Sequence, residues 1–244
     1  MAMHTLDGLV ERVALHTELT ADDARALRDL PFTTTRRDQH TYITREGETV
    51  EHCYVVLSGL VERHRLDSDG GKQIRAFYLA GDPINLDHLF LDQSDDDLRT
   101  LRSCELACIR LADLRRAMAA RPSLGVAVLR AFAVDASIFR EWTVNVGQRH
   151  AEQRIGHLLC ELEVRARRGE PGGDGPGLPV SQYNIAEATG LTPVHVNRTL
   201  KMMQAKGLLT ANRSGIRVHR WDDLRENSGF HYRYLHMLTL RDHS

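Results

Sequence analysis

The 244-residue sequence predicts an α+β chain: an N-terminal β-roll of jelly-roll type, one long helix, and a C-terminal winged helix-turn-helix. Three observations lead there. From about 38 to 111, short segments rich in Val, Ile, Tyr and Thr recur at near-regular spacing between glycine or acidic punctuation, the pattern of a β-sandwich or barrel. After Pro122 the apolar period switches to alternating steps of three and four. In 181–209, SQYNIAEATGLTPVHVNRTLKMMQAKGLL, two short amphipathic patterns meet at Gly190. The expected bounds are 1–121 for the β-roll, 122–147 for the long helix, and 148–244 for the winged helix-turn-helix with a tail.

Residues 5–30 carry two short helical patterns, Leu6, Leu9, Val10 and Val13 on one face, then Thr20 as N-cap before Ala21-Asp22-Asp23. Acidic residues in a first turn suit the positive end of the helix dipole. The strand segments follow: HTYITR, CYVVLSG, GLVERHRL, KQIRAFYLA and ELACIRL. Their punctuation is EGE at 46–48, SG at 58–59, DSDGG at 67–71 and AGD at 80–82. Tyr54, Val56 and Ser58 should face one way and Cys53, Val55 and Leu57 the other.

In the long helix, Leu129, Phe132, Ala136, Phe139, Thr143 and Val146 form a heptad seam, uninterrupted by proline until the chain reaches Gly147. Such a seam usually faces another helix, and here it predicts a homodimer. Val126, Val128, Val134, Ile138 and Trp142 make further faces apolar, so the helix should also pack on its own chain. A second helix carries Ile155, Leu158, Leu159 and Leu162 on one face and ends near PGGDGPG at 171–177, read as a flexible loop.

In the helix-turn-helix, Ser181 caps the first helix and Ile185 and Ala188 face inward. Gly190 makes the corner, Thr192 caps the second helix, and Pro193 occupies its first turn. Val196, Leu200 and Met203 recur as the buried stripe, which leaves Val194, His195, Asn197 and Arg198 outward, with Lys201 one turn later. A second helix so presented enters a DNA major groove. Arg198 suits guanine O6 and N7, His195 a base or phosphate, and Val194 a thymine methyl. Ser181 and Thr192 suit phosphates at helix N-termini. Beyond Gly207, LLTANRSGIRVHR predicts a hairpin with its tip at 212–215, where Arg213 and Arg217 would meet the DNA backbone.

Net charge is −1, but 181–220 holds six cations against Glu187 alone, +5, so the remainder sums to −6. A basic reading module is joined to an acidic partner or sensing module. No apolar run approaches a membrane span and the N-terminus is unlike a secretory signal, so a cytoplasmic protein with no membrane partner is expected. Cys53, Cys104, Cys108 and Cys160 contain no CxxC and are expected reduced. Cys104 and Cys108 share a strand face about 13 Å apart, too far to pair.

This order of modules, with IAEATGLTPVHVNRTLKMMQAKGLL as its strongest part, resembles the CRP/FNR superfamily of bacterial transcription regulators over about residues 15 to 225. LTPVHVNRTL is similar to the branch common in alphaproteobacteria, and Gly47, Gly59 and Gly81 with AGDPI stand at family-like positions. The resemblance implies a homodimer that binds palindromic promoter DNA and contacts RNA polymerase. It places the base-reading positions at Val194, Asn197 and Arg198, with Pro193 where a charged or polar residue is common.

Cyclic-nucleotide-binding members of the family carry Gly-Glu for the ribose and Arg-Ser for the phosphate; Asn85-Leu86 and Ser94-Asp95 stand at those positions. Asp95, Asp96 and Asp97 are expected to line the pocket and repel a cyclic phosphate, so a regulator acting without cAMP is expected, its effector unknown or absent. No cysteine precedes Cys53, against an iron–sulfur cluster, and no pair among the 13 histidines has a distinctive haem spacing. No catalytic group, metal site or cofactor is predicted. Two alternatives stay open: a cyclic-nucleotide-responsive regulator with a divergent pocket, and a β-roll metalloprotein with an accessory DNA-binding module, although 38–111 lacks His-x-His and His-x-x-x-His.

Overall fold

Alternation in one strand divides the β-roll interior. In a computed structural model, which describes residues 5–171, 177–212 and 215–243, strand β3 (His52–Ser58) turns Cys53 and Val55 into one apolar core and Tyr54 and Val56 into another. The first core also takes Leu6, Leu9, Val10 and Val13 from helix α1 (Asp7–Ala14) and Leu27 from α2 (Ala21–Arg28). Thr20 caps α2 as its sequence predicts, its hydroxyl accepting from the Asp23 amide at 3.1 Å.

The remaining strands of the roll are β1 (Phe32–Arg37), β2 (Tyr42–Thr44), β4 (Val61–Leu66), β5 (Lys72–Tyr78), β6 (Pro83–Ile84), β7 (Asp97–Thr100) and β8 (Cys104–Arg110). They form two four-stranded sheets, β1-β8-β3-β6 and β2-β7-β4-β5. The sheet region starts at Phe32, earlier than the expected 38. β1, FTTTRR, is half-buried or exposed throughout, so it shows no apolar alternation to read. β7 lies in the acidic stretch where no strand is expected; its inward positions are Leu98 and Thr100, and only Leu98 is apolar. The turn at Gly59 needs glycine: φ is +96° and a Cβ would lie 2.5 Å from the Ser103 carbonyl oxygen.

Helix α3 (Leu111–Ala120) leads into α4 (Pro122–Gln148), the long helix expected after Pro122. Leu124, Ala127, Val128, Val134, Ile138 and Trp142 of α4 are buried within the chain. By length and composition α4 is apolar enough to cross a bilayer, but a third of its most apolar stretch is buried. The chain forms two compact units: Met1–Arg65, Ala76–Ala136 and His236–Leu238 make one, and Leu66–Arg75, Ser137–Leu235 and Thr239–Ser244 the other.

The second unit is built on α5 (Ala151–Ala166), whose Ile155, Leu158, Leu159 and Leu162 are buried as expected. Residues 172–176, most of the glycine-proline loop, lie outside the described residues. Next come α6 (Gln182–Thr189), α7 (Pro193–Ala205), the hairpin β9 (Leu209–Asn212) and β10 (Gly215–Val218), and α8 (Trp221–Ser228). The tail is ordered by contacts rather than by period. α8 packs on α5, Gly229 stops it in a left-handed conformation, and Phe230 and Tyr234 flank the buried His157 ring at 5.1 and 5.7 Å. In the first unit, the Leu238 amide donates to the Leu15 carbonyl oxygen at 2.7 Å.

Candidate nucleic-acid interface and the β-roll interior

The helix-turn-helix is held by local bonds. Ser181 and Asn184 form a reciprocal capping box at the start of α6: the Asn184 amide donates to Ser181 Oγ at 3.2 Å and the Ser181 amide to Asn184 Oδ1 at 3.0 Å. Gly190 ends α6 at φ +64°, and the Leu191 amide turns back to the Ala186 carbonyl oxygen. Thr192 Oγ1 accepts from the His195 amide at 3.2 Å, and Pro193 opens α7. Ile185, Ala188, Val196, Leu200 and Met203 are buried as the sequence predicts.

α7 presents the opposite face. Val194 is 80% exposed, Arg198 and Lys201 are exposed, and His195 and Asn197 are half-buried. The side chains of Arg198, Lys201 and Arg217, the last exposed on β10, make no hydrogen bond or ion pair among the described residues. By contrast Lys206 is paired with Glu152 at 2.6 Å and Arg220 with Asp223 at 2.5 Å. Within the helix-turn-helix and wing, the exposed cations left to an outside partner are therefore Arg198, Lys201 and Arg217. Arg213 lies outside the described residues. The Ser181 hydroxyl donates to Asn184 Oδ1 at 2.8 Å, so its proton is already committed within the cap. Asn197 donates from Nδ2 to Gln182 Oε1 at 2.8 Å, a bond between the two helices that no sequence period announces.

Along α4, Leu129, Phe139 and Thr143 are exposed and Phe132, Ala136 and Val146 half-buried, with Phe132 packed against the first apolar core of its own chain, so none of the six seam residues is fully buried. Val126 and Val144, outside the expected seam, are exposed as well.

In the β-roll, Asn85 is buried in a left-handed conformation (φ 68°) with Nδ2 donating to Thr44 Oγ1 at 3.3 Å, and Leu86 belongs to the apolar core. Ser94 is buried and donates to the Asp96 carbonyl oxygen at 2.7 Å. The three carboxylates do not line one pocket as expected. Asp95 is exposed, Asp96 is buried 3.8 Å from Arg63, and Asp97 accepts from the Glu46 amide at 2.9 Å. Strand alternation at β7 and the Ser94 turn send them in different directions.

A network that strand reading missed is centred on Arg63. Its guanidinium donates to Asp87 Oδ2 at 2.8 Å and to the Tyr78 hydroxyl at 3.0 Å, and that hydroxyl donates to Asp135 Oδ2 of α4 at 3.3 Å. Burial alone would raise the Asp87 carboxyl, but the Arg63 charge and hydrogen bond outweigh it and hold it low. Burial pushes the Tyr78 phenol up. The signal available in the sequence was β4 itself: VERHRL is charged on both faces, which a strand buried at Glu62 and His64 tolerates only if partners await inside. Among the described residues, no group of three or more His, Cys, Asp or Glu could hold a metal ion.

A capped helix pair turned at a left-handed glycine, a two-stranded wing, and a β-roll joined through one long helix define a winged helix-turn-helix DNA-binding protein with an appended β-roll. Residues 153–227 match the Crp-like helix-turn-helix domain and 35–121 the cyclic nucleotide-binding domain. The chain belongs to the CRP/FNR family of transcription regulators. It is 23% identical to the transcriptional regulatory protein btr of Bordetella pertussis, over 89% of this chain and 90% of that one. It is 27% identical to the nitrogen fixation regulation protein FixK of Bradyrhizobium diazoefficiens, over 70% and 71%. The fold is that of FixK2 from Bradyrhizobium japonicum (TM-score 0.73, 24% identity, 81% of this chain and 97% of that one). It is also that of the c-di-GMP responsive global regulator CLP of Xanthomonas campestris (TM-score 0.64, 22% identity, 82% and 99%).

Proposed function

We propose that the protein is a homodimeric, sequence-specific transcription regulator that acts without cAMP, through another effector or none. The observation that carries the reading is the outward face of α7, where Val194, His195, Asn197 and Arg198 converge beside the unpaired cations Lys201 and Arg217. Base edges fall to the first four. Backbone phosphates fall to Lys201, Arg217, Arg213, the Thr192 hydroxyl and the amides at the Ser181 end of α6.

Residues 1–121 then serve as the sensor or regulatory domain, 122–147 as the dimerisation helix and 148–244 as the DNA-binding domain with its tail. The apolar residues of α4 left open at Leu129 and Phe139 support pairing with a second copy, which a palindromic promoter requires. RNA polymerase is the expected further partner and the cytoplasm the expected site. Independence from cAMP is supported by the β-roll interior: Arg63 is already met by Asp87 and Asp96, so a cyclic phosphate would enter a site whose cation is neutralised and whose Leu86 offers the ribose no acceptor.

The test is selection of random-sequence DNA by the full-length protein, followed by titration of the recovered sites and native mass spectrometry. Two half-sites centred about one helical turn apart, bound by two chains, are expected. Arg198→Ala should cost ~1–3 kcal/mol and relax preference at one position per half-site. Equal binding to all sequences overturns the reading. A rise in affinity of about tenfold or more with cAMP, cGMP or c-di-GMP, equivalent to ~1.4 kcal/mol, replaces the effector assignment with the cyclic-nucleotide-responsive alternative.

A further inference from the structure

The bond between Asn197 and Gln182 bears on which base is read, an inference that rests on α7 being the base-reading helix. Gln182 is the first residue of α6, just after the Ser181 cap, and Asn197 lies in the second turn of α7. Both side chains are half-buried, and Asn197 Nδ2 donates to Gln182 Oε1 at 2.8 Å. A carboxamide has two unlike edges: turned one way it offers a base one acceptor and one donor, turned over it offers two donors from the NH2 group. With one N–H given to Gln182, the other N–H and Oδ1 remain together on the free edge. Turning Asn197 over alone would bring Oδ1 against Oε1, two acceptors at hydrogen-bond distance with no proton between them, so Asn197 can turn only if the Gln182 amide turns with it.

We infer that Gln182 is the specificity-positioning residue of this protein: by holding the Asn197 amide, it selects adenine, whose N6 donor and N7 acceptor complement the free edge, over guanine, whose N7 and O6 both accept. Gln182 acts through Asn197 and need not touch the base. Its effect is therefore on the ratio between bases at one position, whereas a phosphate-contacting or merely structural residue changes affinity for all sequences alike.

The experiment uses the full-length protein and a selected operator varied to each of the four bases at every half-site position. The wild type should prefer adenine at one position where Asn197→Ala removes the preference. Gln182→Ala should lower the adenine-to-guanine ratio there by about two- to tenfold, the worth of one hydrogen bond, with unchanged thermal unfolding. Gln182→Glu, which can only accept, should retain the ratio while weakening binding to all four duplexes alike by added negative charge. If Gln182→Ala leaves the ratio unchanged while Asn197→Ala abolishes it, the positioning role is overturned and the base-reading role of Asn197 stands. A wild-type preference for another base at the Asn197-dependent position overturns the assigned pairing. If Asn197→Ala changes no ratio anywhere, the base-reading assignment itself falls, and the inference with it.

Discussion

Replacing Glu161 by glutamine should loosen the DNA-binding unit while leaving its outer face intact. Glu161 is fully buried on α5 and its two oxygens accept from three donors: Trp142 Nε1 and the Tyr234 hydroxyl, each at 2.9 Å on Oε2, and Arg165 at 3.0 Å on Oε1. Glutamine keeps the shape but has one acceptor oxygen. If that oxygen serves Trp142 and Tyr234, the NH2 group faces the Arg165 guanidinium; if it serves Arg165, the NH2 group faces both other donors. Either way buried donors are opposed, and the charge that balanced buried Arg165 is gone. Breaking one side of a buried pair costs ~3–5 kcal/mol, and the retained oxygen places this change near the lower end. With a urea slope of ~2 kcal/mol per M, a loss of ~3 kcal/mol moves the midpoint down by ~1.5 M. The assay is unusually direct, because the two tryptophans, Trp142 and Trp221, both lie in the second unit, so tryptophan fluorescence follows that unit alone. A midpoint within about 0.3 M of wild type, ~0.6 kcal/mol on the same slope, would refute the claim that this carboxylate organises the unit.

Two further outcomes follow from the same interior. The Glu141 carboxyl is held down to about 2 by the His157 ring nitrogen at 3.3 Å and by Arg149 at 2.5 Å, which outweigh its burial. A carboxyl depressed by folding stabilises fully above its unfolded titration near 4.5 and loses that contribution as pH falls from there toward 2. The stability gap between wild type and Glu141→Gln, measured by urea titration, should therefore be widest near pH 6 and narrow between pH 5 and 3; a gap that widens on acidification contradicts the assignment. All four cysteines are free thiols, but Cys53 and Cys160 are pushed up to about 12 by burial and only Cys108 is part-exposed. Mass spectrometry after brief iodoacetamide treatment should find Cys108 modified in the folded protein and the other three only in urea. Equal native labelling of Cys160 would show that the α5 to α8 packing opens readily.

By itself the sequence determined what depends on near neighbours. The caps at Thr20, Ser181 and Thr192 and the left-handed corner at Gly190 are bonds or turns within a few residues, so their chemistry is written in consecutive letters. The same holds for the buried stripe Val196, Leu200 and Met203, since helical period is a local property, and for the division of β3 between two cores. Tertiary structure decided the rest, where partners lie far apart along the chain or a face is chosen by what covers it. Asp95 to Asp97 read as one wall of carboxylates until strand direction sent them apart, and nothing in the letters of β4 shows that Asp87 and Tyr78 meet Arg63, with Asp135 beyond the Tyr78 hydroxyl. The tail showed too little period to place because Tyr234 is ordered by Glu161, 73 residues earlier. Asn197 could be read as a base-facing residue from its helical position. Which edge of its amide faces outward was decided only when α6 brought Gln182 beside it, because orientation of a carboxamide is set by the partner it finds in space.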